Sequence, residues 1–280
     1  MQCIANDLTG HVALVTGASR GIGRAIARRL ASHGAAVVLN SSPRSSAGLA
    51  ETQALIEQSG GRAECLELDL SDYQARADLL AKAGIPFGPV DILINNAAGI
   101  SAYARPSKID LPARHAMFEL NFHAPVDLIQ QALPAMRERG WGRIINLTSE
   151  TVAQPPIPYP GPEKFVHALC LYGASKIALD RYTIGLAAEL HGTGVQVNAV
   201  KPYKIAVSEG AEALAKQTIA THPDWLESVE MMAEASYLLV AAPLTGLVIN
   251  SRDTLQMLQQ PLRDLDGKTV IGDAKTLFSL

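Results

Sequence analysis

A glycine-rich segment near the amino terminus constrains the fold of this chain more than any other feature. Residues 16–23 read TGASRGIG, and they join an apolar run at 11–16, HVALVT, to a helical pattern at 22–33. A short apolar run followed by a helical period predicts a buried strand, a tight turn and a helix. The helix start offers free N–H groups and a favourable dipole to an anion, and three glycines leave no side chain in its way: Gly17, Gly21 and Gly23. The segment predicts a phosphate-binding loop, with a plain tight turn as the alternative.

The alternation of apolar runs and helical patterns continues along the chain. Short β-rich runs lie at residues 36–40, 63–68, 91–95, 143–147 and 196–200, and helical patterns lie at 47–59 and 171–191. Continuous apolar strands separated by helices indicate a parallel sheet that is covered on both faces. We therefore expect an α/β fold with a doubly wound, mostly parallel sheet, in a single domain over 1–280. Five prolines at 154–162 predict a loop there.

Composition and charge exclude several classes of function. The 280 residues are 48% hydrophobic and 18% charged, which supports a large buried core. The net charge of −3 argues against a nucleic-acid or acidic-membrane surface, and no apolar run is long enough to span a bilayer. Cys3, Cys65 and Cys170 follow no metal-binding or C-x-x-C spacing, so we interpret them as reduced thiols. With no signal-peptide pattern, the sequence predicts a cytoplasmic protein that binds a small molecule and no metal.

The segment YGASK places Tyr172 and Lys176 four positions apart on a predicted helix. That spacing puts both side chains on one face. A free tyrosine has a pKa of about 10, too high for efficient proton transfer near neutrality. A nearby ammonium favours the phenolate, so we expect it to lower the pKa of Tyr172. A chance pair on a helix surface is the alternative interpretation.

Together these segments resemble the short-chain dehydrogenase/reductase family over about residues 8–250. The family signature TGxxxGxG matches 16–23, its NNAG motif matches NNAAG at 95–99, and its YxASK motif matches 172–176. The resemblance implies a Rossmann-type, seven-stranded sheet and an oxidoreductase that interconverts a carbonyl and an alcohol by hydride transfer. It also implies a catalytic set in which Ser149 holds the substrate oxygen, Tyr172 is the acid/base, Lys176 assists it and Asn121 supports a proton relay. Capping, helical and surface roles are the alternatives for each residue alone.

The resemblance also implies how the cofactor is held. A carboxylate at the end of the second strand would accept a hydrogen bond from the ribose 2′-OH of NAD and repel the 2′-phosphate of NADP. Here Asn40, Ser41 and Ser42 are neutral, while Arg20 and Arg44 are placed to bind a phosphate. We therefore expect NADP(H), with NAD(H) as the alternative. The other predicted cofactor contacts are Gly17, Ser19, Gly21, Ile22, Gly23, Asp69, Leu70, Asn95, Ala97, Tyr172, Lys176 and Pro202.

Three segments depart from the family pattern. Ser149 and Tyr172 are 23 positions apart, more than the family's usual spacing, which predicts an insertion at 152–170 beside the site. Its residues Tyr159, Phe165 and His167 are candidates for a pocket wall. After the sixth strand the chain reads KPYK at 201–204, and the threonine expected to contact the nicotinamide is replaced by Val207 or Ser208. Lys201 and Lys204 are interpreted as recruiting an acidic group or as solvated. The family's Asp-Gly-Gly is absent at 244–253.

These departures leave alternatives for the function. We expect residues 203–230 to form a substrate lid and the chain to form a homodimer or homotetramer. The absent Asp-Gly-Gly lies at a common family interface, so the family's tetramer is not assumed. A non-catalytic nucleotide-binding regulator and an NAD-linked alcohol dehydrogenase remain the competing interpretations, and the substrate is expected to be a moderately apolar ketone or alcohol.

Overall fold

Short strands with mostly buried apolar side chains form the centre of the molecule in the computed structural model, which describes residues 7–153 and 167–278. The strands are β1 Val12–Thr16, β2 Ala36–Ser41, β3 Arg62–Glu67, β4 Ile92–Asn95, β5 Gly142–Leu147, β6 Val195–Lys201, β7 Ile205–Ala206, β8 Leu226–Glu227, β9 Val248–Asn250, β10 Leu262–Arg263 and β11 Val270–Gly272. Seven of them form one sheet in the order β3-β2-β1-β4-β5-β6-β9, and each neighbouring pair is parallel.

Helices connect these strands and cover the sheet. They are α1 Gly21–Ala31, α2 Ser46–Gln58, α3 Tyr73–Arg76, α4 Leu79–Ala83, α5 Leu111–Phe118, α6 Ala124–Arg139, α7 Cys170–Glu189, α8 Glu212–Thr218, α9 Val229–Ala241 and α10 Ser251–Leu258. A π-helical turn, Glu119–His123, joins α5 to α6. The expected doubly wound, seven-stranded α/β fold is confirmed, with each predicted strand within two residues of its observed bounds.

The strand order reverses between β1 and β4, and this reversal positions the site. The chain winds outward from β1 through β2 to β3, then returns to place β4 on the other side of β1. The connections leaving the two strands therefore diverge, and they open a crevice at the carboxyl ends where ligands of such sheets bind.

The alternation of side chains along β1 builds a core on each face of the sheet. Ala13 and Val15 pack into the layer that contains α1 and α9, whereas Leu14 packs with α6 on the other face. Each of these side chains is completely buried, and burying one leucine contributes roughly 2 kcal/mol. The strand that ends in the glycine loop is thus fixed from both sides.

The carboxyl-terminal third holds the elements that the sequence analysis did not predict. Helix α9 is buried over Met231–Ala241, as expected for a helix that is apolar all round. Strands β10 and β11 form a hairpin beside α1, where Arg28 pairs with Asp266 at 2.9 Å. Strands β7 and β8 pair with each other within 203–230, the predicted lid.

Two further predictions concern the insertion at 152–170 and the absence of a membrane-spanning helix. Most of the predicted insertion at 152–170, with Tyr159 and Phe165, lies outside the described residues. Among the residues that are described, no helix is long and apolar enough to cross a bilayer. Cys65 and Cys170 are free thiols in the structure.

Candidate active site

A cleft of about 520 Å³ lies at the carboxyl ends of the central strands. It collects most of the residues that the sequence predicts for cofactor and substrate: Gly17, Ser19, Arg20, Gly21, Ile22, Gly23, Asn40, Ser41, Ser42, Asp69, Leu70, Ala97, Ser149, Tyr172, Lys176 and Pro202. Three other predicted residues, Arg44, Asn95 and Asn121, lie outside this lining. One end of the cleft therefore holds the glycine loop, and the other holds the serine, tyrosine and lysine.

The glycine loop is locked to the end of β4 by polar contacts. The Thr16 hydroxyl accepts hydrogen bonds from the N–H groups of Asn96 and Ala97, both at 3.0 Å, and the Asn96 amide donates to the Thr16 carbonyl at 2.8 Å. Gly17 lies against this contact with φ of +65°, and a Cβ there would sit 2.9 Å from Asn96 Nδ2. Only glycine suits this position, because it combines a left-handed backbone with a close neighbour.

The predicted role of Asn95 belongs to its neighbour. Asn95 is buried, and its amide donates to Asn146 Oδ1 at 2.9 Å, so it ties β4 to β5 behind the cleft wall. Asn96 lines the cleft instead. Successive side chains of a strand point to opposite faces, so a motif match alone did not settle which asparagine faces the cleft.

The end of β2 carries a polar atom suited to a ligand. Asn40 is fully buried, and its amide donates to the carbonyls of Leu66 and Leu68 at 3.0 and 3.1 Å. Within the described ranges its Oδ1 atom has no hydrogen-bond partner. A buried acceptor without a partner is costly unless a ligand supplies the donor. This unpartnered acceptor, in the same cleft as the glycine loop, shows that the residues present are suited to a dinucleotide.

Two other predicted contacts at this end differ in position. Asp69 lines the cleft and accepts hydrogen bonds from the N–H and hydroxyl of Ser71, which lower the pKa of its carboxyl. Arg44 is exposed on the turn Pro43–Ser45 and lies outside the lining, close enough to lower the pKa of Asp69 further. Arg20 therefore stays in the cleft as a candidate phosphate ligand, and Arg44 flanks it.

At the other end, close packing brings Ser149 and Tyr172 together. The Ser149 hydroxyl lies close enough to the Tyr172 hydroxyl to lower its pKa, and it also accepts the Thr151 hydroxyl at 2.9 Å. The approach of α7 to the turn Glu150–Val152 depends on Gly173, because a Cβ there would sit 2.4 Å from the Thr151 carbonyl oxygen. The tyrosine, predicted from its spacing to lysine, thus lies beside the serine predicted from the end of β5.

Burial dominates the ionisation of the tyrosine and the lysine. Burial raises the pKa of Tyr172 to about 12, although the hydrogen bond from Ser149 opposes it. Burial also lowers the pKa of Lys176 to about 8, against the attraction of Asp180. The expected lowering of the Tyr172 pKa by the ammonium is wrong for the polypeptide alone. The cause is desolvation, and the Lys176 Nζ atom donates to the Leu147 carbonyl at 2.8 Å rather than to the phenol.

Asn121 acts here as a brace between two segments. It lies in the π-helical turn, and its side chain accepts from the Gly99 N–H at 3.0 Å and donates to the Gly99 carbonyl at 2.9 Å. Its amide also lies 3.2 Å from the Ser175 hydroxyl, which donates to the Tyr172 carbonyl at 2.7 Å. Asn121 therefore supports the tyrosine helix from behind, and the proton relay predicted for it stays a prediction.

The altered segment after β6 is held by internal contacts. Lys201 and Lys204 both pair with Glu150, at 3.2 and 2.7 Å, so the acidic group that they recruit belongs to this chain. Of the two candidates for the threonine position, Ser208 lines the cleft, with its Cβ 3.2 Å from the position that a Gly21 Cβ would take.

The fold and the cleft together define a dinucleotide-binding α/β protein with a serine, a tyrosine and a lysine at one end of its ligand cleft. A comparison with family profiles makes the assignment specific, because the short chain dehydrogenase profile matches residues 11–218. The chain belongs to the short-chain dehydrogenase/reductase family, whose members are oxidoreductases, so the predicted family is confirmed.

Individual relatives agree with this assignment. The chain is 34% identical over 220 residues to gluconate 5-dehydrogenase of Gluconobacter oxydans (strain 621H), which covers 79% of this chain and 80% of the relative. It is 38% identical over 195 residues to ketoacyl reductase HetN of Nostoc sp., where the match covers 70% of this chain and 63% of the relative.

A solved structure is similar over most of its length. The structure of 3-oxoacyl (acyl-carrier-protein) reductase from Agrobacterium tumefaciens C58, with NADP bound, is 30% identical, with a TM-score of 0.77, over 89% of this chain and 96% of that chain. Further similar structures also contain NADP or NADPH. The family therefore binds NAD(P), and the cleft is the candidate site for it in this chain.

Proposed function

We propose that this protein is an NADP(H)-dependent oxidoreductase that interconverts a carbonyl and an alcohol, with Tyr172 as the acid/base. The main support for this proposal is that Ser149, Tyr172 and the buried Lys176 line one cleft with the glycine loop. A bound nicotinamide supplies the hydride for such a reaction or accepts it. The chain's own residues would hold the substrate oxygen and move the proton.

Each residue at this end has a distinct part in the proposal. The Ser149 hydroxyl would donate a hydrogen bond to the carbonyl oxygen and polarise it. Tyr172 would hold its proton at neutral pH, as a proton donor must, but burial raises its pKa to about 12 and so disfavours the phenolate that proton donation leaves. The Lys176 ammonium would favour the phenolate left after proton donation, and its contact with the Leu147 carbonyl fixes its position.

The preference for NADP(H) over NAD(H) is supported by the end of β2. The described residues that line the cleft there are the neutral Asn40, Ser41 and Ser42, and Arg20 lines the same region. A guanidinium near neutral side chains attracts a 2′-phosphate, whereas a carboxylate would repel it. NADP is also the ligand in the Agrobacterium structure.

Two further parts of the proposal concern a substrate lid and the oligomeric state. Residues 203–230 would act as a substrate lid, since their β7–β8 pair follows Pro202 directly and Ser208 and Gly210 line the cleft. We also propose a homodimer or homotetramer, supported by Ile177 and Ile184 on α7, which are 51% and 46% exposed. Light scattering of the purified protein would measure the mass of that assembly.

The direct experiment is a panel of ketones and alcohols, followed at the nicotinamide absorbance with each cofactor. We expect turnover of at least one ketone with NADPH, and a kcat/KM for NADPH at least about tenfold above that for NADH, since one lost charge-assisted contact is worth about 1.4 kcal/mol or more. Failure to bind NADPH would overturn the assignment of the glycine loop. Faster turnover with NADH would overturn the cofactor preference alone.

A further inference from the structure

A cluster of charged side chains flanks the reactive end of the cleft, and hydride transfer does not require it. Glu150 follows Ser149 directly, Lys201 ends β6 next to Pro202, and Lys204 lies three residues further along. Lys201 Nζ is 3.2 Å from Glu150 Oε2, and Lys204 Nζ is 2.7 Å from Glu150 Oε1. We call these three residues the Glu150 cluster.

The cluster is partly buried, and its carboxyl is held in the ionised form. The side chains of Glu150, Lys201 and Lys204 are 25%, 17% and 34% exposed. Burial opposes ionisation of the Glu150 carboxyl, but hydrogen bonds from Lys204 and Lys201 outweigh it and lower its pKa. One carboxylate therefore faces two ammonium groups in a region with limited water.

A second acid nearby does not remove the excess of positive charge. Asp180 on α7 interacts electrostatically with both Lys201 and Lys176. Among the described residues, three lysines then lie at or beside this end of the cleft against two carboxylates, and only Lys176 of the five lines it. Glu227, which accepts the Tyr203 N–H, lies 3.5 Å from Arg252. The balance is one unmatched positive charge beside Ser149.

The geometry makes Lys204 the group that a ligand would reach. It is the most exposed of the three side chains, and a lysine ammonium has three donors, of which the contact with Glu150 Oε1 uses one. Ser149 and Pro202, the chain neighbours of Glu150 and Lys201, both line the cleft, so the cluster borders the end at which Ser149 would hold the substrate oxygen.

We propose that the Glu150 cluster is a subsite for a carboxylate of the substrate, in which Lys204 exchanges its contact with Glu150 for a contact with that carboxylate. This inference rests on the proposed function and narrows it, because the enzyme then acts on keto acids and hydroxy acids in preference to neutral ketones. A carboxylate carries the single negative charge that matches the single unmatched positive charge. A phosphate dianion would exceed it.

The test compares two substrates that differ only in charge, a keto acid found by the panel and its methyl ester, with NADPH at saturation. Lys204→Met should raise KM for the keto acid at least about tenfold, the effect of losing one charge-assisted contact. KM for the ester should stay within about twofold, and Lys204→Arg should recover most of the loss. Equal changes for both substrates would show that Lys204 has only a structural role, and no change would show that it does not contact the substrate. Either result would overturn the subsite.

A second variant distinguishes a substrate subsite from a purely structural ion pair by the direction in which KM changes. Glu150→Gln removes the internal competitor for Lys204, so it should lower KM for the keto acid and leave KM for the ester unchanged. If Glu150 only holds the turn after Ser149 in place, Glu150→Gln should impair both substrates alike, which would contradict the proposal. Arg137→Met is the matched control, because it breaks an exposed ion pair with Glu189 far from the cleft and should alter neither KM.

A binding measurement separates failure of this inference from failure of the proposed function. Calorimetric titration of an unreactive aliphatic carboxylate and its amide into the protein with NADP⁺ requires no turnover. We expect binding of the carboxylate alone, and its loss in Lys204→Met. If no ketone is reduced but this selectivity is present, the proposed reaction fails and the subsite stands. If ketones are reduced but carboxylate and amide bind equally, the subsite fails and the reaction stands.

Discussion

The two ends of the cleft differ in the chemical groups that line them. The end that we propose for the cofactor, at the carboxyl ends of β1, β2 and β4, consists largely of backbone and short polar side chains around Gly17, Asn40 and Asn96, with Arg20 and Asp69 as its ionisable groups. The end that we propose for the substrate, at the carboxyl ends of β5 and β6, is lined by Tyr172 and Lys176 and bordered by the Glu150 cluster. A backbone site suits a ligand shared by many enzymes, whereas a side-chain site can be changed residue by residue. We therefore expect variants at the two ends to separate cofactor binding from chemistry.

Tyr172→Phe is expected to separate cofactor binding from turnover most strongly. Removing the hydroxyl removes the proposed proton donor, so kcat should fall about 10³-fold, within the range for loss of a general acid. Titration of NADPH by fluorescence should give a Kd within about twofold of the wild type, because the glycine loop is untouched. Undiminished turnover in this variant would remove Tyr172 from the mechanism.

Gly17→Ala is expected to act in the opposite way and to weaken cofactor binding. Its Cβ would sit 2.9 Å from Asn96 Nδ2 and 3.0 Å from the Ala97 Cα, so the glycine loop and the segment after β4 must move apart. NADPH binding should weaken about 100-fold or more, as expected when overpacking shifts a close backbone contact. The same titration measures the change.

Gly192→Ala is the matched control for Gly17→Ala. It shares a positive φ, +79°, but nothing lies within 4 Å of the added Cβ. It should cost about 1–2 kcal/mol of stability for the left-handed conformation and leave the Kd for NADPH unchanged. Similar losses of NADPH binding in both variants would mean that backbone strain, and not the close approach at Gly17, explains the effect.

A pH-dependent difference is expected at Glu227, which joins the segment 203–230 to α10. Its carboxylate accepts the Ser251 hydroxyl at 2.6 and 2.8 Å and the Tyr203 N–H at 3.3 Å, and burial raises its pKa to about 7 despite these donors. The folded state then holds the proton more tightly than the unfolded state, whose carboxyl has a pKa of 4.5. Stability contributed by this group is therefore present below pH 4.5 and is lost as the pH rises to about 7.

Urea unfolding at pH 5 and pH 8 would measure this loss. Relative to Glu227→Gln, which has no proton to lose, the wild type should become less stable by roughly 2–3 kcal/mol across that interval. Equal pH dependence in the two proteins would contradict the assignment of the shift to Glu227.

The smallest effect concerns the choice between cofactors. Ser41 ends β2 in the cleft, with its hydroxyl 3.3 Å from that of Ser19. Ser41→Asp would place a carboxylate where we expect the 2′-phosphate, so KM for NADPH should rise about tenfold while KM for NADH stays the same or falls. A parallel rise in both values would point to a distorted loop. Ser41→Asn, an uncharged variant of similar size, is the control.

The same contrast explains how much could be predicted from the sequence. The glycine loop, the strands beside it and the Tyr172–Lys176 spacing are short-range patterns, and the structure places them as expected. The ion pair between Glu150 and Lys204 joins residues 54 positions apart, and no local sequence pattern predicts it. The direction of the Tyr172 pKa shift depends on burial by the folded chain, which the spacing to a lysine does not reveal. Asn96 was missed because its motif neighbour Asn95 was the more obvious match.

Hydride transfer itself can be followed with NADPH that carries deuterium at the transferred position of the nicotinamide ring. In a mixture with the wild-type protein and a reducible ketone, mass spectrometry should find one deuterium on the carbinol carbon of the alcohol product, and that product should form about 10³-fold more slowly when Tyr172→Phe replaces the wild type. An alcohol product without deuterium, or no deuterated product from any ketone on the panel, would contradict the proposed reaction.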